Sequence, residues 1–402
     1  MFRSISNSYI ALLLILSAGA FGFRASSNMF YTNLPLVARE VFNFSDTAVG
    51  ILAASVALAG FISITFVNAK LRSTWRRRLF IAGAFTYSAI FSFIPLEGYF
   101  GLWVLSIMAG FFLQMISTNQ ANASGIIGKT GVRERAITLY TVSLSASLVV
   151  GPFVNSVILT HVSLSYSFAA FAAFPICAAA LTLLFPFPKE TSSALAAETD
   201  RLDPAKKVDQ ASITGSFRST WRNQGFQVAL FINAMYSIPF VALVSFGGLF
   251  SREYFHVSNS SVQLYFVIFF AVSFLFRSLL LFSGRMNIRA ITIVSILLTM
   301  VGIMLLIVAS NPFFYAVALA ILGIPHGLTF PASLIIIMRN SDESKRNTLN
   351  SYFSSSNAMI NTITPFLIGL IADQIGLRFA FGALFISIGA FAYLIFRKRS
   401  YI

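Results

Sequence analysis

Three basic side chains stand inside long apolar runs of this 402-residue chain, and they are the groups whose types could do chemistry there. Arg24 lies in the run Ser8–Leu36, Arg277 in Val262–Phe282 and His326 in Phe313–Met338. A charge at the centre of such a run costs on the order of 2.5–3.5 kcal/mol on insertion scales, so it must find compensation. The 13 acidic residues all fall in loops or at the ends of apolar runs, leaving Arg24 without a buried carboxylate partner. Carbonyls, hydroxyls, water or an anionic ligand remain as its partners. Arg277 is a turn or two from the end of its run, where an arginine can snorkel to headgroups or touch a solute. Histidine ordinarily titrates near pH ~6.5, so His326 is the available candidate for carrying a proton. Its plain alternative is a neutral imidazole bonded to a hydroxyl or carbonyl.

Polar residues recur at helical spacing around these groups. Ser27, Asn28 and Tyr31 follow Arg24 on one face. Asn350, Ser354, Asn357, Asn361 and Thr364 form the longest stripe, three or four residues apart. Shorter sets are Gln114, Ser117 and Thr118; Asn233, Tyr236 and Ser237; and Tyr140, Ser143 and Ser147. Helix–helix bonding accounts for some of them. Together they imply a wet central cavity, with Arg24, Asn28, Tyr31, Gln114, Asn233, Tyr236, Asn357 and Asn361 as solute-binding candidates.

The elements that must position these groups follow from composition. Apolar residues make up 57% of the chain, charged residues 10%, and mean hydropathy is +0.81, so lipid is its main solvent. A helix needs about 20 apolar residues to cross a hydrocarbon core roughly 30 Å thick, and twelve such runs can be drawn. Besides the three above they are Thr47–Val67, Leu79–Leu96, Phe100–Gly125, Ala136–Leu159, Tyr166–Phe185, Phe226–Phe250, Ile291–Ser310, Thr348–Ala372 and Ala380–Phe396. Backbone groups in lipid must bond within their own segment, which makes these runs helices.

The chain is also one half written twice. Arg39-Glu40-Val41-Phe42-Asn43-Phe44-Ser45 returns as Arg252-Glu253-Tyr254-Phe255-His256-Val257-Ser258, an offset of 213 residues (252 − 39). The same offset carries Arg133 onto Arg346 and Pro152 onto Pro365. Six runs fall in each half, so the repeat is parallel, and a doubled membrane half implies two bundles around a central site. The expected division is a six-helix bundle over 1–188, a cytoplasmic linker over 189–223 and a second bundle over 224–402.

The formal charge of +15 is a topology signal and not a nucleic-acid footprint. With the N-terminus inside, nearly all Lys and Arg fall on cytoplasmic segments, whereas the outer loops hold Arg39, Arg252 and Arg378. That bias puts both termini in the cytoplasm and makes anionic headgroups the expected lipid partners. Arg3 followed by Ile10–Phe21 reads as a retained first helix. The single cysteine, Cys177, excludes an intramolecular disulfide. No Gly-rich phosphate loop, metal cluster or acid pair occurs, so neither a cofactor nor an enzyme is expected.

Two motifs carry a family resemblance. After the second run, Ala69-Lys70-Leu71-Arg72-Ser73-Thr74-Trp75-Arg76-Arg77-Arg78 resembles the G-x-L-x-D-R-x-G-R-R hallmark of the major facilitator superfamily, with Leu71, Arg77 and Arg78 matching. Leu281–Ala290 is its weaker second copy, keeping mainly Arg289. Ser147, Gly151 and Pro152 resemble the G-x-x-x-G-P motif of that superfamily's antiporters, with Ser147 in place of the first glycine. The resemblance implies an all-α integral membrane fold of twelve helices, with spans one, four, seven and ten lining the cavity. It implies a gating role for Arg77 and Arg78, and a gating or solute role for Arg277.

The expectation is a monomeric secondary transporter of the plasma membrane, moving a small solute by alternating access. An organic anion or amphipathic acid fits the unpaired arginine. The alternatives are a proton-coupled exporter of hydrophobic, drug-like compounds and a non-transporting membrane sensor of the same fold.

Overall fold

The structure, a computed structural model, describes residues 2–71, 73–126, 130–185, 220–282, 287–341 and 343–402. Most of the expected linker 189–223, and the side chains of Arg133 and Arg346, lie outside what is described. The helices of the first half are α1 (Phe2–Glu40), α2 (Asp46–Ile62), α3 (Ser73–Phe93), α4 (Tyr99–Ile126), α5 (Thr130–Ile158), α6 (Tyr166–Phe171) and α7 (Ala173–Thr182). Those of the second are α8 (Gln224–Phe255), α9 (Asn259–Phe282), α10 (Ile288–Val308), α11 (Pro312–Arg339), α12 (Glu343–Ile375) and α13 (Leu377–Arg397). Among the described residues there is no strand, and ten helices are long and apolar enough to cross a membrane. The 39-residue α1 and the short apolar pair α6/α7 complete the twelve expected spans.

Local chemistry sets the ends. Asn223, Asn287 and Asn311 each cap a helix by accepting a backbone N–H three residues on, at 2.9, 3.1 and 3.1 Å. The doubled sequence builds the same reversal twice. Asn43 and His256, 213 residues apart, both take left-handed backbone, at φ 55° and 52°. Arg39 donates to the Phe44 carbonyl at 2.7 Å, and Arg252 donates to the matching Val257 carbonyl. Ser45 then accepts from the Ala48 N–H at 3.2 Å and Ser258 from the Ser261 N–H at 3.1 Å, starting α2 and α9 alike.

Helices α1–α7 pack as one bundle and α8–α13 as another, meeting where α2 lies along α12, α5 along α9 and α1 against α8. The α2–α12 approach depends on glycine: a Cβ on Gly50 would sit 2.4 Å from the Pro365 carbonyl oxygen. The hydrogen bonds joining the bundles cluster at the end that carries the twin reversals. There Asp373 accepts from the Asp46 and Thr47 N–H groups at 2.8 and 2.9 Å. Glu40 pairs with Arg252 and accepts from Asn259 at 3.1 Å. Slightly deeper, Gln263 of α9 donates to Asn33 at 2.8 Å and accepts from Thr32 at 3.2 Å, with all three side chains buried.

The polar stripe of α12 shows where this seal ends. Thr364 and Pro365 are buried at the level of Gly50, whereas Asn361, Ser354 and Asn350, on the same face toward the other end, are exposed. The gap between the bundles therefore widens away from the sealed end.

Candidate functional site

Helix rise brings the three basic groups to one level. Counted at about 1.5 Å per residue from the sealed ends of their helices, His326, Arg24 and Arg277 lie roughly 21, 24 and 27 Å down. α1 runs toward the sealed end and α9 away from it. Side chains tilt toward the N-terminus of their own helix, so Arg24 leans down and Arg277 leans up, and the two converge.

Arg24 is exposed although its neighbours Phe23 and Ala25 are buried, at 1% and 0%. Its guanidinium lies within electrostatic reach of the Tyr31, Tyr87 and Tyr140 hydroxyls in its own bundle. It also acts across the gap on Arg277 and His326 of the other bundle. A side chain that is exposed yet faces both bundles is lining the space between them. Among the described residues no hydrogen bond or ion pair engages that guanidinium. The α1 backbone is held here by Gly151 of α5, where a Cβ would stand 2.9 Å from the Ala25 carbonyl oxygen.

Arg277 does not snorkel. Its Nη2 reaches the His326 carbonyl at 3.4 Å, and its Nε is buried without a partner. Gly323 and Gly327 cause this closeness: a Cβ on either would stand 2.5 Å from a carbonyl oxygen of α9, Phe269 for the first and Ser273 for the second. His326 Nδ1 and the Ser273 hydroxyl share a hydrogen bond of 2.7 Å. Phe240, Phe269, Phe270 and Tyr236 surround the imidazole, with ring centroids 4.4–5.9 Å away. Sequence reasoning missed Ser273. The signal was its position one helical turn before Arg277.

The remaining candidates divide. Asn28 is buried and donates to the Leu148 carbonyl at 3.0 Å, tying α1 to α5. Asn233 donates to Asn357 at 2.6 Å, tying α8 to α12, and the Tyr236 hydroxyl donates to the Leu322 carbonyl at 3.1 Å. These three donors are already engaged inside their own bundles. Tyr31 is half-buried beside Arg24, and Asn361 is exposed on the α12 face toward the gap. Gln114 is exposed and packs its Cβ against Gly60 of α2. Tyr87, buried in α3, joins the Arg24 surroundings without having stood out in the sequence.

In the first turns of α3, Arg77 and Arg78 are exposed, and Arg78 lies 5.1 Å over the Trp75 ring. Arg76, where the superfamily pattern has glycine, folds back to donate to the Leu71 carbonyl at 2.7 Å. Among the described residues neither Arg77 nor Arg78 bonds a second helix.

The Major Facilitator Superfamily model matches residues 16–285 and 246–401 of this chain. No curated protein matches it. Several solved structures share its fold at low identity. A bacterial homolog of the human lysosomal transporter Spinster, in an inward-facing and unoccupied conformation, is 16% identical over 98% of this chain and 97% of its own, with TM-score 0.71. A point mutant of the peptide transporter POT is 13% identical over 97% and 94%, with TM-score 0.75. The nucleoside transporter NupG is 14% identical over 97% and 98%, with TM-score 0.69.

Proposed function

The chain belongs to the Major Facilitator Superfamily, and we propose that it is a secondary transporter that moves an organic anion by alternating access. The observation that carries this reading is the Arg24 guanidinium, exposed to the space between the bundles and unbonded among the described residues. A cation at that depth with no acidic partner favours a solute that brings the negative charge. Tyr31 and Asn361 add hydrogen-bonding groups at the same gap. The asymmetric distribution of Lys and Arg supports an orientation with the sealed end outside, which makes this an inward-facing state with both termini in the cytoplasm of a plasma-membrane protein. Residues 189–223 serve as the tether between bundles 1–188 and 224–402, and the protein works as a monomer.

The purified protein is reconstituted in liposomes, and uptake of a panel of radiolabelled organic anions, cations and neutral lipophiles is compared. Anion flux is expected, with a loss of about tenfold or more in Arg24→Gln, the effect of one charge-assisted contact. Anion flux unchanged by that substitution overturns the counter-charge role. Flux restricted to cations or neutral compounds overturns the anion reading.

A further inference from the structure

The cavity holds two uncompensated cations, one on each bundle. Arg24 reaches it from α1 with no partner among the described residues. Arg277 reaches it from α9 holding a single long contact, 3.4 Å to the His326 carbonyl, with Nε buried and unsatisfied. A buried guanidinium nitrogen without an acceptor is costly, and the half-buried side chain has only that long contact to offset its charge. The two guanidiniums act on each other across the gap as like charges. The acids near the bundle interface, Glu40, Asp46, Glu253 and Asp373, belong to the sealed end, far above them.

We infer that the solute is a dianion, a dicarboxylate or phosphate monoester, whose two negative charges meet Arg24 and Arg277 together and so bridge the bundles. This rests on the anion reading above and narrows it. A monoanion on Arg24 leaves the Arg277 charge, and so half of the positive charge, unbalanced. A dianion removes the repulsion between the two cations and satisfies the fork geometry of each guanidinium. The Tyr31 and Tyr140 hydroxyls lie on the Arg24 side, within electrostatic reach of its guanidinium, and supply further contacts at that pole. At the other pole the Ser273–His326 pair and the close packing at Gly327 hold the α9–α11 backbone that carries Arg277. Arg24 is the pole for any anion, and Arg277 is the pole that distinguishes one charge from two.

Matched probes separate these roles: succinate against its monomethyl ester, and glycerol phosphate against its methyl phosphodiester, measured by binding to the full chain at neutral pH. Succinate and glycerol phosphate are expected to bind about tenfold or more tightly than their partners, as one extra charge-assisted contact requires. Arg277→Gln should abolish that preference while the monomethyl ester still binds. Arg277→Lys should restore part of the preference, which a purely structural role for the arginine would not produce. Arg24→Gln should weaken every anion. Equal binding of succinate and its monoester by the unaltered protein overturns the dianion inference and leaves the anion transporter intact. Binding of none of these anions, with neutral or cationic solutes bound instead, overturns both. A preference for dianions that survives in correctly folded Arg277→Gln overturns the assignment of Arg277.

Discussion

The Ser260 hydroxyl donates to the Ser156 carbonyl at 2.7 Å, joining α9 to α5 across the two bundles. Shifted by the repeat, the same pair is Thr47 and Gly369, and there the Thr47 hydroxyl meets the Gly369 carbonyl at 3.5 Å, joining α2 to α12. The seal thus has a pseudo-twofold built from the doubled sequence. Its asymmetry is the acid: Asp373 latches the start of α2, whereas Thr160, its counterpart in the first half, turns back to the Val157 carbonyl of its own chain segment.

That asymmetry makes Asp373 the residue whose loss should loosen the seal first. Its two backbone contacts are partly solvated, so Asp373→Ala should destabilise the sealed arrangement by about 1 kcal/mol, roughly fivefold in population. A cysteine at Thr32, in a Cys177→Ser background, should then react faster with a membrane-impermeant thiol reagent. An unchanged rate would show that the latch does not hold the seal.

Gly50→Val should have a larger effect, because its Cβ would fall 2.4 Å from the Pro365 carbonyl oxygen. Neither backbone can yield cheaply, so α2 and α12 must separate by a few tenths of an ångström or more. The sealed state should be depopulated, and under the proposed alternating access solute flux should fall. Wild-type flux together with wild-type Thr32→Cys reactivity would contradict this.

Gln263→Leu removes a side chain that both donates to Asn33 and accepts from Thr32 in a fully buried site. The stranded Asn33 oxygen should cost about 1–3 kcal/mol. A lowered thermal midpoint in detergent checks this. Gln263→Asn, which keeps the amide, should lose less, and equal losses would mean that packing rather than hydrogen bonding holds the network.

His326→Gln keeps a hydrogen-bonding group near Ser273 but removes the titratable ring. If His326 carries the proton, flux driven by a pH gradient should fall to its level without a gradient while counterflow at equal pH persists, because glutamine cannot take up the proton. Undiminished gradient-driven flux would leave the imidazole as a structural partner of Ser273.

Arg252→Ala and Glu40→Gln separate two roles at the rim. The exposed ion pair alone is worth about 0–1 kcal/mol. Arg252 also secures the Val257 carbonyl in the α8–α9 reversal, so its loss should lower the thermal midpoint more than loss of Glu40. Equal shifts would assign both effects to the ion pair.

Hydropathy and the 213-residue offset made the twelve spans and the doubled halves legible, because lipid leaves the backbone no other choice. The Arg39/Arg252 match even marked a shared turn. Periodicity grouped the polar faces, yet it could not tell which neighbour each face meets. Asn28 and Asn361 look alike in sequence; one ties α1 to α5 and the other stands exposed at the gap. Arg277 can reach in either direction along its helix, and the Gly323/Gly327 approach of another helix decides which. Gln263 and Asp373 were illegible for a related reason: each matters only through a partner in the other bundle.

The paired reversals at Asn43 and His256 have a mechanical consequence. Each is only a few residues long and is nailed down by its own arginine, so neither has slack to lift like a lid. Passage at that rim has to come from whole rods leaning apart as stiff levers, with the corners carried along unchanged. A spin label on Asn43 and another on His256 would then act as a goniometer for the transport cycle, reporting bundle tilt with little contribution from local loop motion.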